Sequence, residues 1–190
     1  MKLYFIRHGQ TDWNLQKKIQ GSYDSELNMT GIAQAEKLGK NISELNYQFS
    51  RIYSSKQKRE VMTAQIIWEI SKVDYIEVDG LEEVKLGKWE GLTWDEVREK
   101  FPCEYNEWYK NRRYTKPPKG ESYQDMLARV LKVVYKIINE EHGNVAIVTH
   151  SAVIMCLQCY LTDTPFEDLI KFDIGNSSVV EINSELFNNK

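Results

Sequence analysis

Leu3-Tyr4-Phe5-Ile6-Arg7-His8 and Val145-Ala146-Ile147-Val148-Thr149-His150 are the two most strand-like runs in the chain. Each is continuously apolar rather than alternating, the pattern of a parallel strand covered on both faces. Each is also followed at once by a histidine. Working outward from them, strand-like and helix-like segments alternate, which argues for an α/β layer fold with a mostly parallel sheet.

After the first strand, Leu3 to Arg7, comes a polar loop. A helix is then expected from about Gly31 to Leu45, with Thr30 as N-cap and Ile32, Ala35, Leu38 and Ile42 at helical spacing. Arg51 to Ser54 reads as a strand, Lys58 to Ser71 as a helix, and Ile76 to Val78 as a short third strand. Short helices are expected at Trp94 to Lys100 and Glu104 to Lys110. Ser122, with Asp125 three residues on, opens a long amphipathic helix that Gly143 is expected to end. Val145 to Thr149 is the second apolar strand, Ala152 to Leu161 a helix, and Ser178 to Ile182 an edge strand. Neither repeats nor a long linker divides the chain, so residues 1–190 read as one domain with a lid-like insertion at about 88–121.

Bulk properties exclude several classes. The 190 residues are 42% hydrophobic and 28% charged, with a net charge of −3. A chain-wide basic footprint for nucleic acid is absent. No run approaches the roughly 18 apolar residues of a membrane span. The short apolar start ends on Arg7 and does not read as a signal peptide, so a cytoplasmic protein is expected. A homodimer is left open. The three cysteines show no disulfide pattern, and Cys156-x-x-Cys159 lies in an apolar stretch that reads as half-buried helix.

In open α/β sheets, ligands bind beyond the carboxyl ends of the strands. Two of the three histidines, His8 and His150, would both emerge there. Arg7 adjoins His8, and the helix after His150 offers N-terminal amides to an anion. His142 sits near a helix C-terminus, where a histidine complements the dipole and reads as structural. A net-negative chain that binds an anion must draw it in with local arginines.

Arg7-His8-Gly9-Gln10-Thr11-Asp12-Trp13-Asn14 resembles the R-H-G-[EQ]-T-x-W-N signature of the histidine phosphatase superfamily, the phosphoglycerate-mutase-like family. Further segments follow in order. Gln20-Gly21 and Asp24 to Asn28 resemble the family's Q-G-x-x-D-x-x-L. Tyr53-Ser54-Ser55, Arg59 and Thr63-Ala64 resemble Y-S-S-x-x-x-R-x-x-x-T-A. Leu81-x-Glu83 and Gly87 to Gly91 resemble L-x-E-x-x-x-G-x-W-E-G. Gly120-Glu121-Ser122 and Thr149-His150 complete the series.

The resemblance implies a three-layer α/β/α sandwich, a phosphohistidine intermediate on His8, and no metal or other cofactor. It implies that Arg7, Arg59 and His150 bind the phosphoryl group, and that Asn14 and the backbone at Gln20-Gly21 complete the cradle. Guanidinium forks match phosphate oxygens and stay charged. Glu83 is then the acid for the leaving group and, later, the base for water. Where the family usually has two glycines after its second histidine, this chain has Ser151 and Ala152, which narrow the rim while Ser151 still offers its amide. Arg112 and Arg113, ahead of Pro117-Pro118, read either as a solvated loop face or as a lid that clamps a second anionic group, as a similar pair does in the mutases. Trp89, Trp94 and Trp108 read as packing. The leading expectation is a phosphatase for small phosphorylated metabolites. Its alternatives are a phosphoglycerate mutase and a catalytically silent binding module. The span of about thirty residues between Gly91 and Glu121 and the short polar tail, Asn183 to Lys190, favour the phosphatase, because a mutase must cover its intermediate against water.

Overall fold

The computed structural model describes residues 1–44 and 48–190. Five strands, β1 (Lys2–Arg7), β2 (Phe49–Ser54), β3 (Tyr75–Glu77), β4 (Asn144–Thr149) and β5 (Val179–Asn183), form one sheet in the order β3-β2-β4-β1-β5. Only β5 is antiparallel; the other pairings are parallel, with Leu3 opposite Val145 and Arg7 opposite Thr149. The helices are α1 (Asp12–Leu15), α2 (Met29–Glu44), α3 (Lys58–Ser71), α4 (Trp94–Lys100), α5 (Pro102–Lys110), α6 (Tyr123–Glu140) and α7 (Ser151–Leu161).

Successive side chains of a strand point to opposite faces, and both faces of this sheet are covered. From β1 and β4, Leu3, Phe5, Val145 and Ile147 join one buried cluster, which is completed by α6 and α7. Tyr4, Ile6, Ala146 and Val148 join a second, with Leu38 and Ile42 of α2 and Ala64 and Ile67 of α3. The three layers implied by the family resemblance are therefore present, and the two continuous apolar runs are the two central strands.

Local chemistry shifts two expected boundaries. The α2 start is capped by Asn28 rather than Thr30. The Asn28 side-chain oxygen accepts from Gly31 N at 2.9 Å, while its amide is anchored on Gln10 Oε1. The expected end of that helix at Leu45 lies outside the described residues. The α6 helix stops at Glu140, before Gly143, because extended Glu141 is tied to the sheet by Tyr53 Oη at 2.8 Å and Ser50 Oγ at 2.9 Å. At its other end, Ser122 and Asp125 form the expected capping box, a device worth about 1 kcal/mol. Lys116 and the Ser122 amide push the Asp125 carboxyl down to about 2.

Residues 88–121 are anchored by aromatics. Trp89 is fully buried, with Trp108 edge-on at 5.4 Å, and Trp94 stacks on Trp108 at 5.2 Å. Cys156 and Cys159 are fully buried in α7 rather than half-buried, and burial pushes both thiols up.

Candidate active site

The register of β1 against β4 carries His8 and His150 out at the same sheet edge, with ring centroids 5.6 Å apart. His8 is 3% exposed. Its Nδ1 lies 2.7 Å from the Gly9 carbonyl. A carbonyl only accepts, so Nδ1 carries the proton and the lone pair belongs to Nε2. Gly9 is required here because a Cβ would lie 2.5 Å from the Gly31 carbonyl oxygen of α2. Burial and the nearby Arg59 and Arg7 hold the His8 pKa well below the usual histidine range. The ring is thus a neutral base through the physiological window, and its function is lost only as the pH falls through that depressed pKa.

Arg59 projects from the first turn of α3 and is fully buried. It donates to the carbonyls of Tyr23 at 2.8 Å and Gly21 at 3.1 Å, and its Nη2 lies 3.0 Å from His150 Nδ1. A guanidinium only donates, so His150 Nδ1 accepts, and the protonated Nε2 faces Ser55 Oγ at 3.2 Å. Arg7 donates to the Ile174 carbonyl, while its buried Nε has no hydrogen-bond partner among the described residues. Such a donor needs an acceptor, and a ligand oxygen would supply one.

Glu83 lies on the loop after β3. Its carboxylate oxygens accept from the amides of Val84 at 2.9 Å and Ala152 at 3.3 Å. Burial outweighs those donors and the nearby arginines, and raises its pKa. The adjacent Glu82 turns away to the Gly80 amide and Arg129. Arg129 of α6 also donates to the backbone carbonyls of Glu82 and Glu83, and Glu121 holds it at 2.6 Å. Sequence reasoning missed this clamp on the loop. It also missed Gln57, which joins the Glu83 amide to the Gly21 carbonyl.

Arg7, His8, Arg59 and Glu83 line one cavity of about 200 Å³, with Gln20, Gly21 and Ser151 at its walls. His150 lies behind that lining, against Arg59 and Glu60, and the other expected residues are placed as follows. Asn14 does not line the cavity: its side-chain oxygen accepts from Thr11 N at 3.0 Å and from Asn176 Nδ2 at 3.2 Å. It therefore braces the loop behind His8, where Asn176 also holds the His8 carbonyl. Arg112 stacks on Tyr109 and Trp108 at 4.6 and 4.9 Å. Arg113 bonds Gln124 and lies over Phe166. Neither arginine reaches the His8 cavity, because aromatic faces hold both guanidinium groups.

Glu60 was not foreseen. It is fully buried, and its Oε1 lies 2.9 Å from His150 Nδ1, 3.2 Å from Arg59 Nε and 3.6 Å from His8 Nε2. Adjacency to Arg59 was the one available signal, and helical geometry turns neighbouring residues to different directions. Ligand atoms of His8, Glu60 and His150 all lie within 4.8 Å of one another, a spacing that a cation can bridge. Arg59, however, already contacts His150 and Glu60 there, and its fixed positive charge opposes a second cation.

This is an α/β protein with two buried imidazoles and two arginines gathered at the carboxyl edge of its sheet. Residues 3–186 match the profile of the histidine phosphatase superfamily (branch 1), and the chain belongs to that family. Human 6-phosphofructo-2-kinase/fructose-2,6-bisphosphatase 3 is 34% identical over 167 residues, covering 88% of this chain and 31% of that protein. The chain spans about a third of the length of the curated relatives it matches. Similar solved structures include YhfR of Bacillus stearothermophilus, at 32% identity and TM-score 0.86, covering 96% of this chain and 90% of that one. Another is the mycobacterial glucosyl-3-phosphoglycerate phosphatase, at 28% identity and TM-score 0.85, with coverage of 96% and 90%.

Proposed function

We propose that the chain is a cytoplasmic phosphatase that hydrolyses small phosphorylated metabolites through a phosphohistidine on His8, without a metal. The observation that carries this reading is the His8 ring itself: proton fixed on Nδ1 by Gly9, Nε2 free to attack, and arginines on the same cavity. A phosphate ester resists attack because its oxygens are negative, so the site must supply positive charge and alignment. Arg7 and Arg59 supply the charge, and neutral His150 supplies a further donor through Nε2. His8 Nε2 bonds to phosphorus as the ester P–O bond breaks. The proton of Glu83 passes to the leaving alkoxide. Water then attacks the phosphohistidine, its proton passes to the Glu83 carboxylate, and inorganic phosphate leaves with His8 restored.

The cavity beyond the reacting groups is small, and Ile19, Val84, Leu86, Trp94 and Met155 contribute apolar walls. That lining favours a compact leaving group with an apolar side. The names of the similar proteins support an ester of a small metabolite. Against a mutase, Arg112 and Arg113 stand outside the cavity, and residues 184–189 fold against α6 through Tyr135 and Phe187.

The test is a panel of phosphorylated metabolites assayed for released phosphate, with 3-phosphoglycerate plus catalytic 2,3-bisphosphoglycerate as one member. Phosphate release should dominate throughout the panel. Rapid formation of 2-phosphoglycerate, with little free phosphate and weak action on other esters, would establish the mutase instead. Dialysis against a strong chelator should leave the rate unchanged. A loss of rate restored by zinc or magnesium would place a cation among His8, Glu60 and His150.

A further inference from the structure

Glu60 has no part in the mechanism above, yet it stands at its centre. Neither carboxyl oxygen has a hydrogen-bond partner of good geometry among the described residues, although both are buried. Two of the nearby groups, Arg59 Nε and His8 Nε2, are ones that a bound phosphoryl group would need. Arg59 Nε, an unsatisfied donor, lies at 3.2 Å, His150 Nδ1 at 2.9 Å and the nucleophilic His8 Nε2 at 3.6 Å. Attack on phosphorus requires a separation of about 3–3.5 Å from His8 Nε2, so the carboxyl borders the place of the phosphate.

The protonation of this cluster follows from its donors. His150 Nδ1 already faces the Arg59 guanidinium and must accept. An ionised carboxylate 2.9 Å from the lone-pair side of an accepting nitrogen is repelled, and protonation of the carboxyl relieves that repulsion. The surroundings agree. Glu60 faces Arg59 on its own helix, His8 just after β1, His150 at the start of α7, Glu83 on the loop after β3, and Asp24 on the loop before α2. Burial dominates and raises its pKa well above the carboxylate range; Arg59 opposes, while Glu83 and Asp24 add to the rise. His150, also buried and beside Arg59, is held well below the usual range, so it does not supply a charge to ionise Glu60.

We propose that Glu60 gates phosphate entry: its carboxyl rests on the Arg59 Nε donor and beside the nucleophilic His8 Nε2, and the ester binds productively only while that carboxyl is protonated. Ionised, Glu60 places a negative charge against an incoming dianion and occupies the Arg59 Nε donor. Protonated, it is neutral and can turn its O–H toward a phosphate oxygen. The sign follows. Binding competence is present below the raised pKa of Glu60 and is lost as the pH rises through it. The enzyme thus works on the acid side, limited below by protonation of His8.

This inference rests on the phosphatase reading, and its test separates the two. An aryl phosphate is the substrate, because its leaving group hardly needs the Glu83 proton and kcat/KM then stops short of the water step. The ratio of kcat/KM for Glu60→Gln to that of wild type cancels the ionisation of the substrate. It should rise about tenfold or more as the pH is carried upward through the raised pKa of Glu60. The change should appear in KM, and in the inhibition constant of inorganic phosphate, more than in kcat. A ratio that stays level or falls with pH would overturn the gate, since a merely structural glutamate lowers activity alike at every pH. If Glu60→Gln does not fold, Glu60→Ala is read in the same way. The wild type alone also decides: its kcat/KM, referred to the dianion of the aryl phosphate, must decline on the alkaline side, and a level profile there overturns the gate. Failure of the phosphatase reading looks different, because activity would then survive loss of His8.

Discussion

His8→Ala should lower kcat/KM by about 10,000-fold or more, about 5.5 kcal/mol of barrier, on every ester the wild type accepts. The size follows from the role. The other groups in the cavity stabilise charge, but no other side chain presents a neutral nitrogen to it: His150 Nδ1 is engaged by Arg59, and its Nε2 faces Ser55. Removing the imidazole removes the covalent route, so water would have to attack the ester directly in a site aligned for a ring nitrogen. The fold should survive, because the alanine keeps the backbone amide bond to the Thr149 carbonyl and the Gly9 turn. Circular dichroism checks that. The positive control is chemical: wild-type enzyme quenched during turnover should carry an acid-labile, base-stable phosphate on His8, absent from the variant. Activity of His8→Ala within about a hundredfold of wild type, with its fold intact, would remove the covalent mechanism.

The site was legible in the sequence where the backbone alone determines geometry. His8 and His150 follow apolar runs that could only be central strands, and parallel pairing then fixes both at one edge. Arg59 and Glu83 were legible through their segments, and the cavity brings them together. The remainder depended on tertiary partners that no local pattern encodes. Asn14 carries a residue type suited to a phosphate cradle, and its side-chain oxygen is held by Thr11 nearby and by Asn176 far along the chain, a bond that leaves its amide group to donate elsewhere. The guanidinium groups of Arg112 and Arg113 lie against rings of their own loop and of Phe166, not toward the cavity. Glu60 was invisible for the opposite reason. A glutamate in the first turn of a helix usually reads as a solvated residue that favours the helix dipole, and only the packing of α3 under the two histidines buries it.

The burial that suppresses charge on His8 also raises the pKa of Glu83 against the nearby arginines, and that proton gives the second large effect. Glu83→Gln should reduce kcat/KM for an alkyl phosphate by about 100- to 10,000-fold, the usual worth of a general acid, while costing an aryl phosphate less than about tenfold. An alkoxide leaves as a strong base and needs a proton as the P–O bond breaks; a nitrophenolate carries its charge without help. The substituted amide keeps an acceptor for the Val84 amide and loses the longer bond from Ala152, a loss common to both esters, so the contrast between them isolates the proton. Because burial raises the Glu83 pKa, wild-type activity on the alkyl ester should also fall as the pH rises through that pKa. In Glu83→Gln this part of the decline should vanish, leaving only that due to Glu60. The water step gives a second reading. Without a base to take the proton of water, the variant turning over an aryl phosphate should accumulate phosphohistidine and show a burst of nitrophenol followed by a slow steady rate. Equal losses on both esters, with no burst, would mean that Glu83 shapes the site without moving the proton, and the acid would have to be sought among the other buried carboxyls, Glu60 first.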